Sequence, residues 1–265
     1  LARAHVQYST GKAVMPVRLV VPLPQIQGRI TSMPGYLTED NALGMKVVTY
    51  FQDNPKRNLS AILATIMLFS TETGKLIAAM DGGYITAIRT ACASALATKA
   101  LANLETPTLG ILGAGVQARA HIQALSRVRP LRRIRIYSPS GKSALTIKRE
   151  MEPLGVAIEA VTSAQEAVRD SDLIVTVTTA KEPIVKSAWL KAGAHINAVG
   201  SHRPDLREID GATLKRAKVV VDSKDAIMAE CGDILLALKE QSITEADIHG
   251  EIGEVLAGAK PGRTS

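Results

Sequence analysis

The sequence predicts an α/β protein in two parts: a doubly wound parallel sheet, preceded by a smaller α+β part with a mostly antiparallel sheet. The pattern of apolar runs indicates this division. From Ala13 to Met80 the runs are separated only by turns, and after Pro107 short apolar runs alternate with helical segments. A chain of 265 residues, 46% of them hydrophobic, can bury one large core or two modest ones. We therefore expect two domains, residues 1–104 and residues 105–265.

The N-terminal part is predicted to consist of short strands joined by turns. The expected strands are Val17–Val21, Gly44–Phe51, Ala61–Phe69 and Lys75–Met80. The expected turns include Met33-Pro34-Gly35 and Asp53-Asn54-Pro55. A long helix should follow over Tyr84–Leu104, because Ala, Leu, Ile and Lys dominate this stretch and Thr106-Pro107 would end it.

The C-terminal part is predicted to be a parallel sheet with helices on both faces. Its expected strands are Thr108–Leu112, Ile134–Tyr137, Val156–Val161, Leu173–Val177, Ala194–Val199 and Lys218–Val221. Runs this short, apolar throughout and rich in Ile and Val, are typical of strands that are buried on both faces. Six such strands alternating with helices predict a doubly wound domain of the kind that binds nucleotides.

The charge of the chain does not indicate a nucleic-acid-binding protein. The net charge is +7, and the local excess of arginine is at Arg127, Arg129, Arg132, Arg133 and Arg135. Aromatic residues, which stack on bases, make up only 3% of the chain. A solvated surface is therefore the favoured interpretation of this cluster. An anionic substrate and a phosphate-rich cofactor would account for part of the remaining positive charge.

The sequence also argues against membrane, disulfide and metal sites. No window approaches the roughly eighteen uninterrupted apolar residues of a membrane span. The segment Leu1–His5 lacks the features of a signal peptide, so a cytoplasmic protein is expected. Cys92 and Cys231 are far apart, without metal-ligand spacing, and each is expected to be a buried apolar side chain. The histidines form no metal-ligand pattern either.

The segment Gly113–Ala118 has the pattern G-x-G-x-x-A, directly after an expected strand and at the start of an expected helix. Gly113 would permit a tight turn, Gly115 would let a pyrophosphate approach the backbone, and Ala118 would let the helix and strand pack closely. The amides of the helix N-terminus would then face the phosphates. The residues expected to contact the cofactor here are Gly113, Gly115, Val116 and Gln117. We therefore expect a Rossmann domain that binds NAD(P).

The segment Tyr137–Lys142, after the second strand of this domain, indicates which cofactor binds. An acidic residue here would hydrogen-bond the ribose 2′-hydroxyl and repel a 2′-phosphate, and the segment contains none. Ser138, Ser140 and Lys142 could instead seat a 2′-phosphate. NADP(H) is therefore favoured, with NAD(H) as the other possibility. The alternative interpretation of the segment is an ordinary polar turn that opens the next helix.

With these features in place, the chain resembles the ornithine cyclodeaminase/mu-crystallin family over nearly its whole length. The matching stretches are Met15-Pro16-Val17-Arg18, Met33-Pro34, Lys46-Val47-Val48-Thr49, Met80-Asp81-Gly82, Ile88-Arg89-Thr90-Ala91, Gly113–Ala118, His195–Gly200 and Gly253-Glu254-Val255. The resemblance implies a homodimer built by the N-terminal domain, with substrate bound between the two domains. Family members are usually longer at both ends. This sequence is therefore expected to lack an N-terminal helix and the C-terminal segment that returns to the dimerisation domain.

The resemblance also implies roles for several side chains. Arg18 and Lys46 correspond to cations that face the substrate, and the planar fork of arginine suits a carboxylate. Without the resemblance, Lys46 would be interpreted as an edge residue that extends to water. Arg89 and Thr90 correspond to contacts with the cofactor phosphates, and the alternative for Arg89 is an exposed helical arginine. The other expected cofactor contacts are Thr176, Thr178, Val199, Gly200 and Ser201.

His202 bears on which chemistry of the family is expected. Cyclodeaminases of the family are similar in carrying an aspartate at this place, so the histidine weakens the prediction of a lyase. The following Arg203-Pro204-Asp205 looks like the reductase branch. His202 follows a strand end and could exchange a proton near neutral pH, and Asp205 could orient it or contact substrate. A turn histidine with one structural hydrogen bond is the alternative.

The expected function is therefore NAD(P)H-dependent reduction of a cyclic α-imino acid, such as 1-pyrroline-2-carboxylate or 1-piperideine-2-carboxylate, to the cyclic L-amino acid. Arg18 and Lys46 would hold the carboxylate, and Lys46, His202 or water would supply the proton. Three alternatives stay open: oxidative deamination of an acyclic amino acid such as alanine, cyclodeamination of ornithine, and non-catalytic binding of NADPH and a ligand.

Overall fold

The structure, a computed structural model, describes residues 1–264 and divides into two compact units. It confirms the predicted fold class, with one mostly antiparallel sheet and one doubly wound parallel sheet. The first unit is Leu1–Arg89, and the second begins at Thr90. The division falls within a helix at Gly83–Leu101, whereas the predicted domain boundary follows Leu104.

The first unit is an antiparallel sheet with one preceding helix. Its elements are α1 (Ala2–Ser9), β1 (Ala13–Val14), β2 (Leu19–Leu23), β3 (Gly28–Leu37), β4 (Ala42–Phe51), β5 (Ile62–Phe69) and β6 (Leu76–Asp81). Within the described residues the sheet has six strands in the order β1-β3-β4-β5-β6, and β2 pairs with β3. The helix α2 (Gly83–Leu101) follows β6. The predicted strands in this part are confirmed, and β1, β3 and α1 are additional elements.

The prediction of a turn at Met33-Pro34-Gly35 is wrong, because these residues lie inside β3. On one side β3 pairs with β4 along its whole length. On the other side it pairs with β2 as far as Ser32 and with β1 from Tyr36. Pro34 lies in the gap between these two partners, where a missing N–H breaks no ladder of hydrogen bonds. A proline is therefore compatible with this long strand.

Helix α1 is attached to the turn between β3 and β4 through Gln7, which is almost fully buried. The Nε2 atom of Gln7 donates a hydrogen bond to Asp40 at 2.6 Å, and its Oε1 atom accepts one from the backbone N–H of Glu39 at 3.1 Å. Both polar ends of the buried amide are thus satisfied. This helix is not predicted by the apolar pattern of the sequence.

The second unit contains the parallel sheet. Its elements after α2 are β7 (Thr108–Leu112), α3 (Val116–Ser126), β8 (Arg133–Tyr137), α4 (Lys142–Glu150), β9 (Ala157–Val161), α5 (Ala164–Val168), β10 (Leu173–Thr176), β11 (His195–Ala198), α6 (Gly211–Arg216), β12 (Val219–Val221), α7 (Lys224–Glu230), α8 (Gly232–Lys239), β13 (Ile248–Glu251) and α9 (Ile252–Leu256). In the described part of the chain the main sheet has five strands, in the order β11-β10-β7-β8-β9. Strand order therefore reverses between β7 and β10, where Leu112 pairs with Thr176. Open parallel sheets bind ligands beyond the carboxyl ends of the strands at such a point.

The prediction that Lys218–Val221 is a sixth strand of this sheet is wrong. The segment does form a strand, β12, but β12 pairs in parallel with β13 in a separate two-stranded sheet. An apolar run predicts that a strand is buried, but it does not identify the neighbouring strand. The residues of β13, Ile-His-Gly-Glu, show no apolar run, so the partner strand had no local signal.

The interpretation of the arginine cluster as a solvated surface is wrong for Arg129, which is only 8% exposed. Its guanidinium donates hydrogen bonds to the carbonyl oxygens of Thr98 at 2.8 Å and Asn103 at 3.3 Å, at the C-terminal end of α2. Arg263 donates to the carbonyl of Leu101 at 2.6 Å. The last carbonyls of a helix lack partners within the helix and carry negative partial charge, so these arginines cap α2. The helix therefore ends before the predicted Leu104.

Among the described residues, no helix is both long enough and apolar enough to cross a membrane. The same part of the chain contains no group of three or more His, Cys, Asp and Glu side chains arranged to hold a metal ion.

Candidate active site

The glycine-rich segment forms the tight turn between β7 and α3. Gly113 has a φ of 106°, a conformation that side chains other than glycine rarely adopt. A Cβ atom at Gly113 would also lie 2.6 Å from the carbonyl oxygen of Val177, which follows β10. The backbone N–H of Gly113 donates to the carbonyl of Tyr137 at 2.9 Å, at the end of β8. Both the backbone conformation and the packing therefore require glycine here.

The N-terminus of α3 fits a pyrophosphate. Among residues 1–264, no side chain caps this eleven-residue helix at Gly115, and none lies within 4 Å of a Cβ atom placed there. Ala118 is fully buried, which lets the helix pack closely on the sheet. The Oε1 atom of Gln117 is buried and has no hydrogen-bond partner among the described residues. Uncapped amides at a helix N-terminus, with the helix dipole behind them, bind anions well.

The predicted seat for the adenosine ribose lies at the end of β8. Ser138 is 7% exposed, and its Oγ atom is buried without a hydrogen-bond partner in the part of the chain that the structure describes. Ser140 and Lys142 are exposed, and Lys142 begins α4. A buried hydroxyl without a partner is unfavourable unless a ligand or water satisfies it. These residues therefore fit a polar group of a bound nucleotide.

Lys46 lies in the middle of the antiparallel sheet of the first unit. It pairs with Met33 on β3 and with Ile66 on β5, and Ile66 pairs in turn with Met80 on β6. Residues directly opposite each other on neighbouring strands point to the same face of a sheet. Because β4 is paired on both sides, Lys46 is not an edge residue. The interpretation as an edge lysine that extends to water is therefore wrong.

The ammonium of Lys46 shares its surroundings with two other cations. Burial is the largest cause that lowers the pKa of Lys46, and the positive charges of Arg89 and then Arg18 lower it further, to about 8. All three side chains belong to the first unit. Three positive groups close together favour a bound anion, and an amine with this pKa can give up a proton near neutral pH.

His202 follows β11 and is oriented by a backbone carbonyl. Its Nδ1 atom donates a hydrogen bond to the carbonyl oxygen of Gly200 at 2.8 Å. The neutral ring therefore carries its proton on Nδ1 and its lone pair on Nε2. The carboxylate of Asp205 instead pairs with the guanidinium of Arg203, at 2.8 Å from Nε, and this pairing lowers the pKa of Asp205.

Two buried acids near His202 were not predicted as site residues. Glu208 is fully buried, and its carboxylate accepts hydrogen bonds from Thr178 and Gly200. Asp233 is 2% exposed and accepts hydrogen bonds from the backbone of residues 208 and 209. The local sequence Leu206-Arg207-Glu208-Ile209 gives no signal for the burial of Glu208, because its two central residues are both charged. Burial of both acids raises their pKa values, that of Asp233 to about 6.

The remaining predicted cofactor residues of the second unit cluster near the ends of β10 and β11. Thr176 is the last residue of β10 and is fully buried, and Thr178 follows two residues later. The segment Val199–Ser201 directly follows β11, and Ser201 is buried. Strands β10 and β11 are neighbours, so the sheet brings these predicted contacts to one edge. Thr90 lies in α2.

The sequence and fold are both similar to known enzymes. The chain is 40% identical to "Ketimine reductase mu-crystallin" of Rattus norvegicus, over 95% of this chain and 77% of that protein. It superposes with a TM-score of 0.96, at 42% identity, on Thermococcus litoralis Delta(1)-pyrroline-2-carboxylate reductase in complex with NADH and L-proline. That match covers 100% of this chain and 82% of the other. An archaeal alanine dehydrogenase dimer with bound NAD matches with a TM-score of 0.91 at 36% identity, and the match covers 100% of this chain and 82% of that chain.

The model of the ornithine cyclodeaminase/mu-crystallin family matches residues 1–265. Together with the relatives, this match confirms the family, the fold class and the enzyme class predicted from the sequence, an oxidoreductase that acts on C=N bonds. A pyridine nucleotide is the cofactor that the similar structures support. The chain belongs to the ornithine cyclodeaminase/mu-crystallin family.

Proposed function

We propose that this protein reduces a cyclic α-imino acid to the cyclic L-amino acid with a pyridine nucleotide. The observation that carries the proposal is the cluster of Lys46, Arg18 and Arg89, in which the pKa of Lys46 is lowered to about 8. Such a cluster can hold a carboxylate and can also supply a proton. Relatives that reduce ketimines and pyrroline-2-carboxylate support the same chemistry.

In this proposal Arg18 and Lys46 bind the substrate carboxylate. The planar guanidinium of Arg18 offers two parallel hydrogen bonds, and Lys46 adds a compact charge. The bound nicotinamide supplies the hydride that the imine carbon accepts. The imine nitrogen takes a proton from Lys46, from Nε2 of a protonated His202 or from water, so that the C=N bond becomes a CH–NH bond. Asp205 remains a proposed substrate contact.

The cofactor would be held by the turns at the carboxyl ends of the strands. We assign its pyrophosphate to the uncapped N-terminus of α3, because that site is open and lined by backbone amides. The residues proposed for this contact are Gly113, Gly115, Val116 and Gln117. The residues proposed for the rest of the cofactor are Arg89, Thr90, Thr176, Thr178, Val199, Gly200 and Ser201.

We further propose a preference for NADP(H) over NAD(H). The buried Oγ atom of Ser138 and the exposed Ser140 and Lys142 offer two hydroxyls and a cation for a 2′-phosphate. Dissociation constants for NADPH and NADH test this preference. Lys142→Ala should weaken NADPH binding by about tenfold, because a charge-assisted hydrogen bond is lost, and leave NADH binding unchanged. Equal affinities of the unmodified protein for both cofactors would overturn the preference.

We also propose that two copies of the chain associate through the first unit. Leu19, Val20 and Val21 of β2 are 64%, 45% and 43% exposed, and within residues 1–264 this strand pairs on one side only, with β3. Exposed apolar strands of this kind are usually covered by a partner. The similar archaeal alanine dehydrogenase is a dimer. Sedimentation equilibrium should give twice the chain mass, and Val20→Glu should shift it towards the monomer.

The substrate panel that tests the proposed function contains 1-pyrroline-2-carboxylate, 1-piperideine-2-carboxylate, pyruvate with ammonia, and ornithine. Each is tested with the reduced and oxidised forms of both nucleotides. We expect nucleotide oxidation with a cyclic imino acid at the highest kcat/KM. Turnover of pyruvate and ammonia alone would favour the alanine dehydrogenase alternative, which the similarity to that enzyme supports. Ammonia release from ornithine without net nucleotide change would indicate a cyclodeaminase.

A further inference from the structure

The carboxylate of Glu208 joins two turns at the edge of the parallel sheet. Its Oε1 atom accepts hydrogen bonds from the backbone N–H and the hydroxyl of Thr178, at 2.6 and 2.7 Å. Its Oε2 atom accepts one from the backbone N–H of Gly200 at 2.8 Å. Thr178 follows β10 and Gly200 follows β11, which are neighbouring strands. One buried side chain thus fixes the spacing of two turns that we assign to the cofactor.

The contact between these turns is too close for any other residue at position 200. A Cβ atom at Gly200 would lie 2.3 Å from the carbonyl oxygen of Thr178 and 2.6 Å from the carboxyl group of Glu208. Thr178 also lies beside the glycine turn, with its Cγ2 atom 3.2 Å from a Cβ placed at Gly113. A movement of Glu208 would therefore displace both the glycine turn and the turn after β11.

Gly200 connects Glu208 to His202. The N–H of Gly200 donates to Glu208 at 2.8 Å and, at 3.2 Å, to the carbonyl of Thr176 at the end of β10, so Glu208 makes the shorter of its two bonds. The carbonyl oxygen of Gly200 accepts hydrogen bonds from both Nδ1 and the backbone N–H of His202, at 2.8 and 2.9 Å. These bonds orient the imidazole and select its tautomer. The position and protonation of the ring therefore depend on where Glu208 holds Gly200.

Glu208 is itself held in place by the N-terminus of α8. The backbone N–H groups of Glu208 and Ile209 donate to Oδ1 of Asp233 at 2.7 and 2.9 Å. The hydroxyl of Ser201 accepts a hydrogen bond from the N–H of Asp233 and donates one to the carbonyl of Leu206, both at 2.8 Å. This buried network leaves Glu208 little freedom to move.

The hydrogen bonds to the carboxyl oxygens of Glu208 come from donors, namely the backbone N–H groups of Thr178 and Gly200 and the hydroxyl of Thr178, and the side chain of Thr176 also favours the charged carboxylate. A carboxylate accepts all three bonds, whereas a glutamine at this position would direct an N–H₂ group towards one of these donors. Two buried donors that face each other are unfavourable. Glutamine has the same shape as glutamate, so Glu208→Gln tests the loss of the accepting oxygen without a change in size.

We propose that Glu208 is a positioning residue of the reductase site, which sets the orientation of His202 and the spacing of the Thr178 and Gly200 turns. The proposal rests on the proposed function for its effect on turnover. The expected effect on the tautomer of the His202 ring does not depend on that function, because the hydrogen bonds that orient the ring are present without substrate. Glu208 acts through Gly200 and Thr178 and is not assigned any contact with the reacting atoms.

The experiment compares Glu208→Gln with Glu240→Gln. Glu240 is the matched control, because it is a carboxylate paired with Arg207, the neighbour of Glu208, at 2.8 Å, but it lies on the surface. We expect Glu208→Gln to lower kcat for imino-acid reduction by about 10- to 100-fold, as small displacements of reacting groups do. Its KM for the imino acid should change less than about twofold, because Arg18 and Lys46 bind the carboxylate. Glu240→Gln should match the unmodified protein.

The second readout is nitrogen NMR of the His202 ring without substrate. The unmodified protein and Glu240→Gln should show the Nδ1-protonated tautomer, and Glu208→Gln should show a mixture of tautomers. Unchanged kcat and unchanged tautomer in a folded Glu208→Gln would overturn the proposal. A tautomer change in a protein that reduces no imino acid would overturn the proposed function and support the positioning role.

If Glu208→Gln does not fold, Glu208→Asp replaces it in both measurements. Aspartate keeps the charge and the acceptor oxygens but is shorter by one methylene, so it should not reach Thr178 and Gly200 together. We expect the same direction of change in kcat and in the tautomer. A folded Glu208→Asp with the kcat and the tautomer of the unmodified protein would also overturn the proposal.

Discussion

The backbone N–H of Glu208 donates a hydrogen bond to Oδ1 of Asp233 at 2.7 Å, and both residues are buried. Burial is the main reason that the pKa of Asp233 is raised to about 6, and the charge of Glu208 raises it too. Hydrogen bonds from Ile209 and Glu208 oppose the rise. Buried acids of this kind make the stability of the fold depend on pH.

Replacing Asp233 should change how stability depends on pH. The pKa of Asp233 in the folded protein is about 6, above the ordinary value of 3.8. Its titration therefore adds to the free energy of unfolding below pH 3.8, and this addition is lost as pH rises through 6. Asp233→Asn keeps the accepting oxygen and removes the titration. Relative to the unmodified protein, the free energy of unfolding of Asp233→Asn should therefore improve by about 2 kcal/mol between pH 4 and pH 7. Urea unfolding at both values measures this difference, and a constant difference would contradict it.

The pH dependence of kcat/KM should report the ammonium of Lys46. Because its pKa is about 8, the free enzyme should lose its cation and its proton donor as pH rises through 8, and kcat/KM should fall there. Arg89→Gln removes a charge that lowers this pKa, so its alkaline limb should move to higher pH. Arg57→Gln, a change at an exposed arginine of the first unit, is the control and should not move the limb. If kcat/KM falls at the same alkaline pH in all three proteins, the assignment of this limb to Lys46 is contradicted.

Arg18→Lys should separate charge from geometry at the carboxylate. Lysine keeps the positive charge but loses the two parallel hydrogen bonds of the guanidinium. We expect KM for the imino acid to rise by about tenfold, equivalent to about 1.4 kcal/mol, with a smaller change in kcat. Steady-state kinetics at saturating nucleotide measure both constants. An unchanged KM would show that Arg18 does not bind the carboxylate in this way.

The two glycines of the cofactor turn should respond differently to alanine. Gly113→Ala introduces a Cβ atom 2.6 Å from the Val177 carbonyl at a φ of 106°, so it should lower both stability and cofactor affinity. The loss of stability should be about 1–3 kcal/mol. Gly115→Ala meets open space, so it should keep the stability and lower only the affinity, if the pyrophosphate approaches the backbone there. Thermal unfolding and nucleotide titration distinguish the two effects.

The parts of the candidate site that are formed by residues close together in the sequence could be predicted from the sequence. The strand Thr108–Leu112 and the turn at Gly113 lie where they were predicted, because an apolar run and a glycine pattern are both local signals. The burial of Glu208 could not be predicted in this way. Its partners, Thr178 and Gly200, are 30 and 8 residues away and come together only when β10 and β11 pair.

The same reason accounts for the errors in the fold. Pro34 was predicted to lie in a turn. A proline is compatible with β3 because it lies at the gap between β1 and β2, but the position of that gap depends on residues elsewhere in the sheet. The capping role of Arg129 depends on the position of α2, and the arginine cluster alone gave no sign of it. Lys46 could be proposed as a site residue from the sequence only through the family resemblance, because a lysine among apolar residues is also common at sheet edges.

Transfer of deuterium tests the central claim most directly. The protein is incubated with a cyclic imino acid and NADH or NADPH that carries deuterium at both C4 positions of the dihydronicotinamide, and the amino acid product is analysed by mass spectrometry and chiral chromatography. We predict the L-enantiomer of the cyclic amino acid with one deuterium at its α-carbon. Absence of deuterium from the product, or no product from any cyclic imino acid under conditions where alanine or ornithine is turned over, would contradict imino-acid reduction.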